Sequence, residues 1–171
     1  MLSGLLVTQM FPATMLLLPL YMVLISLHLI NSYIGIIIIY SATALPFTIW
    51  QMKGYYDTIP IALEEAARID GCTPWQSFYR VVLPLAAPAL VITALFSFMT
   101  AWNEYVVANV VLQETDMFTL PLGLKMFQAS MQTQWGLYAA GSLVVSIPVV
   151  LLFLLLSRYL ISGLTLGAVK G

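Results

Sequence analysis

The stretch DTIPIALEEAARIDGCTPWQSFYRVVLP, residues 57–84, is a short charged segment in a chain that is otherwise mostly apolar. It holds six of the thirteen charged residues of the sequence, which has six Lys and Arg and seven Asp and Glu. Long apolar runs lie on both sides of it. Because such runs are long enough to cross a membrane, the sequence predicts a water-exposed segment between two spans, available to a partner outside the bilayer.

The first half of this stretch is predicted to form a short amphipathic helix. Thr58 is a candidate N-cap, and Pro60 is tolerated in the first turn, where its missing N–H costs little. Glu64 and Arg68 have the spacing of a favourable i,i+4 ion pair. Gly71 suits the left-handed position that ends a helix. The apolar residues at helical spacing on one face are Ile59, Ala62, Ala66 and Ile69, with Leu63 and Ala67 beside them.

The second half is predicted to form another helix. Thr73-Pro74-Trp75-Gln76 has the pattern of a capping box with proline at the first helical position. We expect this second helix to end near Pro84. Residues 57–84 therefore predict a helical hairpin with a glycine at its turn.

The same residues carry a spaced motif: Glu65-Ala66-Ala67, three residues, Gly71, nine residues, Val81, one residue and Leu83-Pro84. The motif resembles the EAA loop of permease subunits of ATP-binding cassette (ABC) importers, in which isoleucine usually stands at the place of Val81. In that family the loop docks onto a cytoplasmic ATPase. The alternative is an ordinary amphipathic hairpin lying on the membrane surface. The resemblance implies a coupling role for Glu64, Glu65, Ala66, Ala67, Arg68, Asp70, Gly71, Val81, Leu83 and Pro84.

Composition excludes several other classes of protein. The chain has 171 residues, of which 61% are hydrophobic and 8% charged, whereas soluble domains carry about 25% charged residues. The net charge of −1 suggests no nucleic-acid partner. The single cysteine, Cys72, excludes an internal disulfide and gives no metal-site spacing. We expect a membrane protein without cofactor or metal.

Four apolar runs are predicted to be transmembrane helices, at about residues 2–27, 33–50, 85–112 and 137–160. The predicted fold is thus an all-α membrane protein, a single domain over residues 1–171, with the hairpin as a coupling loop. Residues 113–136 form an external loop, in which we expect a turn at residues 120–123 and a short helix at 124–131. Residues 162–171 are expected to be a tail outside the membrane. His28, the only histidine, is expected at a helix end at the interface.

The cations predict the orientation. With four spans, both ends and the hairpin lie on one side of the membrane. That side carries Lys53, Arg68, Arg80, Arg158 and Lys170, and the other carries only Lys125. The positive-inside rule therefore makes the hairpin and the C-terminus cytoplasmic.

Glu104 is an acid with apolar sequence close on both sides. A carboxylate at membrane depth is costly and by default marks a functional site. In one interpretation, Asn103 and Glu104 line the translocation pathway or its outer gate. In the other, they lie at the outer interface beside the aromatic residues Trp102 and Tyr105. The rise of 1.5 Å per residue from Pro84 favours the interface.

The resemblance extends over nearly the whole chain, to carbohydrate-importer permeases and in particular to the smaller permease subunit of maltose/trehalose-type systems. It implies a bacterial or archaeal plasma-membrane protein with three partners: an ATP-binding subunit, a second permease subunit in a heterodimer, and a periplasmic or extracellular sugar-binding protein. Members usually carry two more spans before this stretch, so we expect a C-terminal part of a permease or a short gene product. The segments that carry this wider resemblance are residues 9–12, 44–47, 96–98, 101–104, 120–121 and 162–171.

The sequence predicts no catalytic site. None of the three lysines follows a glycine-rich phosphate-binding pattern, so ATP hydrolysis is expected in a partner. The alternative function is a secondary transporter or channel, but such proteins usually carry paired intramembrane charges or inverted repeats, and neither is evident. A membrane-embedded enzyme would need a convergent acid, base or metal set, which His28 alone does not supply.

Overall fold

The computed structural model of the chain describes residue 4, residues 13–128 and residues 133–168. This part forms helices and contains no strand, which confirms the all-α prediction. A π-helical turn at Phe78–Val82 joins the fourth helix to the fifth, and 3-10 turns lie at Thr115–Met117 and Lys125–Phe127. The α-helices are α1 (Ala13–Ser26), α2 (Tyr33–Tyr56), α3 (Ile61–Ile69), α4 (Pro74–Ser77), α5 (Leu83–Asn103), α6 (Val106–Val111), α7 (Leu120–Leu124) and α8 (Trp135–Ala168).

Three helical stretches within the described residues are long and apolar enough to cross a membrane: Tyr33–Tyr56, Pro74–Asn103 and Trp135–Ser157. The first of the four predicted spans, residues 2–27, is described only from residue 13, apart from residue 4, and its apolar helix Met15–Ser26 is shorter. Four spans therefore remain a prediction.

Two helices extend beyond the membrane spans that were predicted for them. Helix α2 continues six residues past residue 50 to Tyr56, and α8 continues through the predicted tail to Ala168. The glycines at 163 and 167 cost about 1 kcal/mol each relative to alanine, which is too little to end an established helix. The predicted tail residues 169–171 lie outside the described part of the chain.

The external loop also differs from the prediction. The predicted turn at residues 120–123 is part of helix α7. This helix tolerates Pro121, because the proline lies in its first turn. The predicted helix at 124–131 is instead a 3-10 turn at Lys125–Phe127. Residues 129–132 lie outside the described part, so nothing follows for that end of the predicted helix.

Helices α2 and α5 pack side by side and run antiparallel, as two hydrogen bonds near their opposite ends show. The Tyr40 hydroxyl donates to Glu104 at 3.0 Å, and the Tyr55 hydroxyl donates to the Leu85 carbonyl at 3.1 Å. Helix α5 also packs along α8. A buried core forms where α1, α2, α6 and α7 meet, and its members are Leu24, Ile36, Ile39, Val107, Ala108, Val111, Leu112 and Leu122.

The turn between α1 and α2 is tight and polar. Its residue His28 is exposed and left-handed, with φ 55°, as predicted for a residue at a helix end. Its N–H donates to the Ile25 carbonyl at 3.0 Å, and the Leu29 N–H donates to the Leu24 carbonyl at 2.9 Å. These two bonds form a Schellman motif. Gly35, in the first turn of α2, lies so close to the Leu29 carbonyl that a Cβ there would overlap it.

Gly35→Ala is therefore expected to destabilise the protein by about 1–3 kcal/mol, because the backbone of residue 29 must move. Gly54→Ala is the matched control, since Gly54 lies in the same helix with open space around the added Cβ; it is expected to be neutral or stabilising by roughly 0.5–1 kcal/mol. The measurement is the thermal unfolding midpoint in detergent. Equal midpoints for the two variants would contradict the close packing at Gly35.

Candidate functional site

The first helix of the hairpin begins later than predicted, because its N-cap is Pro60 and not Thr58. Pro60 occupies the N-cap position of α3 with extended backbone, φ −61° and ψ 127°. Thr58 is not the cap; its hydroxyl donates to the Tyr55 carbonyl at 2.7 Å, behind it in the chain. The reason is that proline keeps the residue before it, Ile59, out of the helical region. Helix α3 therefore starts only at Ile61.

Gly71 forms the turn of the hairpin with the backbone that was predicted, φ 86°. Its N–H donates to the Arg68 carbonyl at 3.0 Å, and the Cys72 N–H donates to the Ala67 carbonyl at 2.9 Å. These are the two bonds of a Schellman motif with glycine at its left-handed position. A Cβ at Gly71 would meet nothing within 4 Å, so backbone conformation alone favours glycine here.

The second helix of the hairpin has the predicted start and a different end. The Gln76 N–H donates to the Thr73 hydroxyl at 3.3 Å, and the Thr73 N–H donates to the Gln76 side chain at 2.9 Å, which completes the capping box. The helix does not end at Pro84, because the π turn Phe78–Val82 carries it directly into α5. π turns are rare, and those that interrupt α-helices frequently lie at functional sites. The hairpin is thus continuous with a span.

Helix α3 presents a largely apolar face to solvent. Ala67 is 7% exposed and faces the rest of the protein, whereas Ile61 and Ile69 are 70% and 86% exposed. Glu65 is exposed and Glu64 is half-buried. At 100° per residue, Glu65 lies on the same outward side as the two isoleucines. This face differs in part from the predicted one. Ala62, Ala66 and Ile69 are exposed members of it as predicted, but Ile59 precedes the helix and Ile61 takes its place. Glu65 lies among these apolar residues.

One predicted contact of the hairpin is absent. Glu64 and Arg68 form no ion pair; in the part of the chain that the structure describes, the ion pair joins Lys53 to Asp57. Exposed i,i+4 pairs contribute only about 0.3–0.5 kcal/mol, which does not hold two long side chains in one geometry. Glu65 likewise has no ion-pair partner in this part of the chain.

An aromatic cluster attaches the hairpin to the end of α2. The ring centroids of Tyr56 and Phe78 are 6.5 Å apart, and those of Trp75 and Phe78 are 6.2 Å apart in an edge-to-face arrangement. Tyr79 stacks on Trp75 at 6.1 Å. Such pairs contribute about 0.5–1.5 kcal/mol each beyond their buried area. Tyr56 was not predicted as part of the site, although its position one residue before the charged stretch was a signal.

Glu104 forms the joint between α5 and α6. It follows the last residue of α5 with extended backbone, φ −71° and ψ 123°, so the predicted span 85–112 contains two helices. Its carboxylate accepts the N–H groups of Val107 and Ala108 at 3.0 and 3.1 Å and the Tyr40 hydroxyl at 3.0 Å. These three donors satisfy the hydrogen-bonding capacity of the half-buried Glu104 carboxylate. Asn103 is exposed, and its amide donates to the Met99 carbonyl at 2.8 Å.

The position of Glu104 along the helix axes follows from its contact with Tyr40 in α2. Tyr40 is seven residues from Tyr33, the first residue of α2, or about 10 Å at 1.5 Å per residue. Helix α6 runs back from Glu104 toward the start of α2, where the Val111 carbonyl at its last residue accepts the Asn31 N–H at 2.9 Å. Glu104 is therefore about 10 Å from the level of Tyr33 along α2, with α6 between it and that end of the helix.

Comparisons with known proteins agree on one family. Residues 2–165 match the family described as the inner membrane component of binding-protein-dependent transport systems. The chain is 42% identical over 168 residues to the diacetylchitobiose uptake system permease protein of Streptomyces coelicolor, covering 98% of this chain and 61% of the relative. It is 40% identical over 177 residues to the maltose/maltodextrin transport system permease protein of Salmonella typhimurium, covering 100% and 60%.

A solved structure shows the same fold. It is the crystal structure of a bacterial ABC transporter involved in the import of the acidic polysaccharide alginate, with a TM-score of 0.72 and 28% identity over 91% of this chain and 59% of the other. This chain spans about three fifths of the length of the curated relatives it matches. With its long apolar helices it is a multi-pass membrane protein, and it belongs to the family of inner membrane components of binding-protein-dependent transport systems.

Proposed function

We propose that the chain is a permease subunit of a binding-protein-dependent ABC importer of carbohydrate, in the plasma membrane of a bacterium or archaeon. It forms part of the sugar pathway, and a separate ATP-binding subunit hydrolyses the ATP. The relatives named for diacetylchitobiose and maltodextrin uptake support a sugar as the cargo. The further partners are a second permease subunit, in a heterodimer, and an external sugar-binding protein. Four spans, with the hairpin and the C-terminus in the cytoplasm, complete the proposal.

The outward face of α3 is the observation that carries this proposal. Helix α3, on the water side of the membrane, exposes Ile61 and Ile69 at 70% and 86%. These side chains leave an apolar patch without a partner. The alanines at 62 and 66 allow a second surface to approach closely. Glu65, exposed and without an ion-pair partner among the described residues, is placed to meet a basic side chain. A groove on the ATPase with apolar walls and one cation fits this face.

The hairpin transmits motion because it is stiff and continuous with a span. The Gly71 turn fixes α3 against α4, and the capping box fixes the start of α4. From Pro74 to Asn103 the chain stays helical through the π turn. A displacement of α3 by the closing ATPase therefore moves α5, and through it the joint at Glu104. Such coupling needs two states that both partners bias.

We assign different roles to the two residues predicted at the pathway or gate. Asn103 is exposed at membrane depth, and a polar amide facing lipid is unfavourable; it faces the pathway or the second permease subunit. The carboxylate of Glu104 is already occupied by Tyr40 and the start of α6. Glu104 therefore holds the broken helix in shape and does not bind the cargo.

Glu65→Lys tests the docking face. Charge reversal at the centre of this face is expected to reduce the amount of ATPase subunit that co-purifies from membranes severalfold, because like charges then meet. Glu64→Lys is the matched control, since its side chain is half-buried on the flank of α3; it is expected to retain more of the ATPase. Undiminished co-purification with Glu65→Lys would reject this face as the contact.

Glu104→Ala tests the joint. Removing the carboxylate leaves the N–H groups of Val107 and Ala108 without their acceptor, so we expect a loss of about 2–3 kcal/mol in unfolding free energy. Tyr40→Phe removes one hydrogen bond and is expected to cost about 1 kcal/mol. Because both changes remove the same bond, the double variant should lose less than their sum. Thermal unfolding in detergent measures all three, with Asn103→Ala as control; additive losses would contradict the shared hydrogen bond.

A further inference from the structure

Asn31 holds the start of the external loop. Its side-chain carbonyl accepts the N–H groups of Gln113 at 3.0 Å and Glu114 at 3.1 Å. Its own N–H donates to the Val111 carbonyl at 2.9 Å, at the last residue of α6. One asparagine in the α1–α2 turn thus makes three hydrogen bonds to the point where α6 ends and the loop begins. We call this set of bonds the Asn31 clamp.

The backbone of Asn31 is part of the clamp. It is left-handed, with φ 53°, a conformation that asparagine adopts more readily than most residues with a side chain. This conformation turns the chain from α1 into α2 while the side chain reaches the loop. Nearby, the Gln113 amide donates to the Tyr21 hydroxyl of α1 at 3.2 Å. The loop is therefore tied to both sides of the α1–α2 turn.

Below the clamp, packing fixes α6 to the same part of the molecule. Ala108 and Val111 are fully buried against the core shared by α1, α2 and α7, and Leu122 of α7 joins that core at 2% exposure. At its inner end α6 is held by Glu104 and Tyr40. Helix α6 is therefore fixed at both ends. At the end where the exposed loop begins, the clamp holds both the helix and the first residues of the loop.

We propose that Asn31 is a positioning residue for the docking of the external binding protein. The clamp holds one arrangement of the loop that begins at Gln113, on the side of the membrane opposite the coupling hairpin. The first residues of that loop, from Gln113 to Asp116, are all exposed. Their acids, Glu114 and Asp116, suit a basic patch on the partner. Without the clamp this segment samples other arrangements, and docking must select the competent one. This inference rests on the proposed function.

The test compares Asn31 variants in the complete importer, reconstituted in proteoliposomes and titrated with its binding protein. Asn31→Gly keeps the left-handed backbone and removes both side-chain bonds. We expect the binding-protein concentration for half-maximal ATPase stimulation to rise at least about fivefold, as the loss of two hydrogen bonds of about 0.5–1.5 kcal/mol each implies, with unchanged basal ATPase activity. Asn31→Asp keeps an acceptor oxygen and is expected to lie near wild type.

Asn109→Ala is the matched control, because Asn109 is an exposed asparagine on α6, the helix whose end the clamp holds, and is not itself part of the clamp. Should Asn31→Gly fail to accumulate in the membrane, Glu114→Pro against Glu114→Ala tests the clamp from the loop side, since proline removes one of the two N–H donors. The half-maximal concentration should rise for proline and change less for alanine.

Two results would overturn the proposal while the wild-type importer responds to its binding protein. One is an unchanged half-maximal concentration for Asn31→Gly, or for Glu114→Pro relative to Glu114→Ala. The other is an equal loss of basal and stimulated activity, which a purely structural role would give. A wild-type complex that assembles with no ATPase, or shows no stimulation, would instead reject the proposed function and this inference with it.

Discussion

The left-handed turn at Gly71 fixes the direction of α3, and the exposure of the apolar face of that helix depends on it. Two backbone hydrogen bonds close the turn, and the capping box that follows sets the start of the next helix within three residues. The aromatic contact between Tyr56 and Phe78 then ties the hairpin to α2. Because the helical backbone continues from α4 through the π turn into α5, the hairpin and the helix Leu83–Asn103 form one continuous unit.

At the other end of α5 the helix breaks, and polar groups decide where. The Glu104 carboxylate provides the acceptor that the first N–H groups of α6 would otherwise lack. At the other end of α6, the Asn31 N–H donates to the Val111 carbonyl, and the Asn31 side chain accepts the Gln113 N–H. Between them, buried apolar residues pack α6 against α1 and α2. The region around α6 is therefore held by a few specific hydrogen bonds together with this packing.

Features encoded in consecutive residues could be predicted from the sequence. Gly71 and the Thr73–Gln76 capping box each follow from local chemistry, and the structure contains both. Contacts between distant residues carry no such pattern: Tyr40 and Glu104 are 64 residues apart, and Asn31 and Gln113 are 82 apart. Local competition caused the error at the start of α3, where the effect of Pro60 on Ile59 outweighed the capping preference of Thr58.

We propose that the outward face of α3 lies in the cytoplasm and is covered by an ATPase. The most direct measurement is cysteine labelling of Ile69→Cys, with Cys72 replaced by serine, using a membrane-impermeant maleimide on vesicles of either orientation. The account predicts labelling only from the cytoplasmic face, and protection when the ATPase subunit is returned to stripped vesicles. Labelling from the outer face, or labelling that the ATPase leaves unchanged, would contradict it.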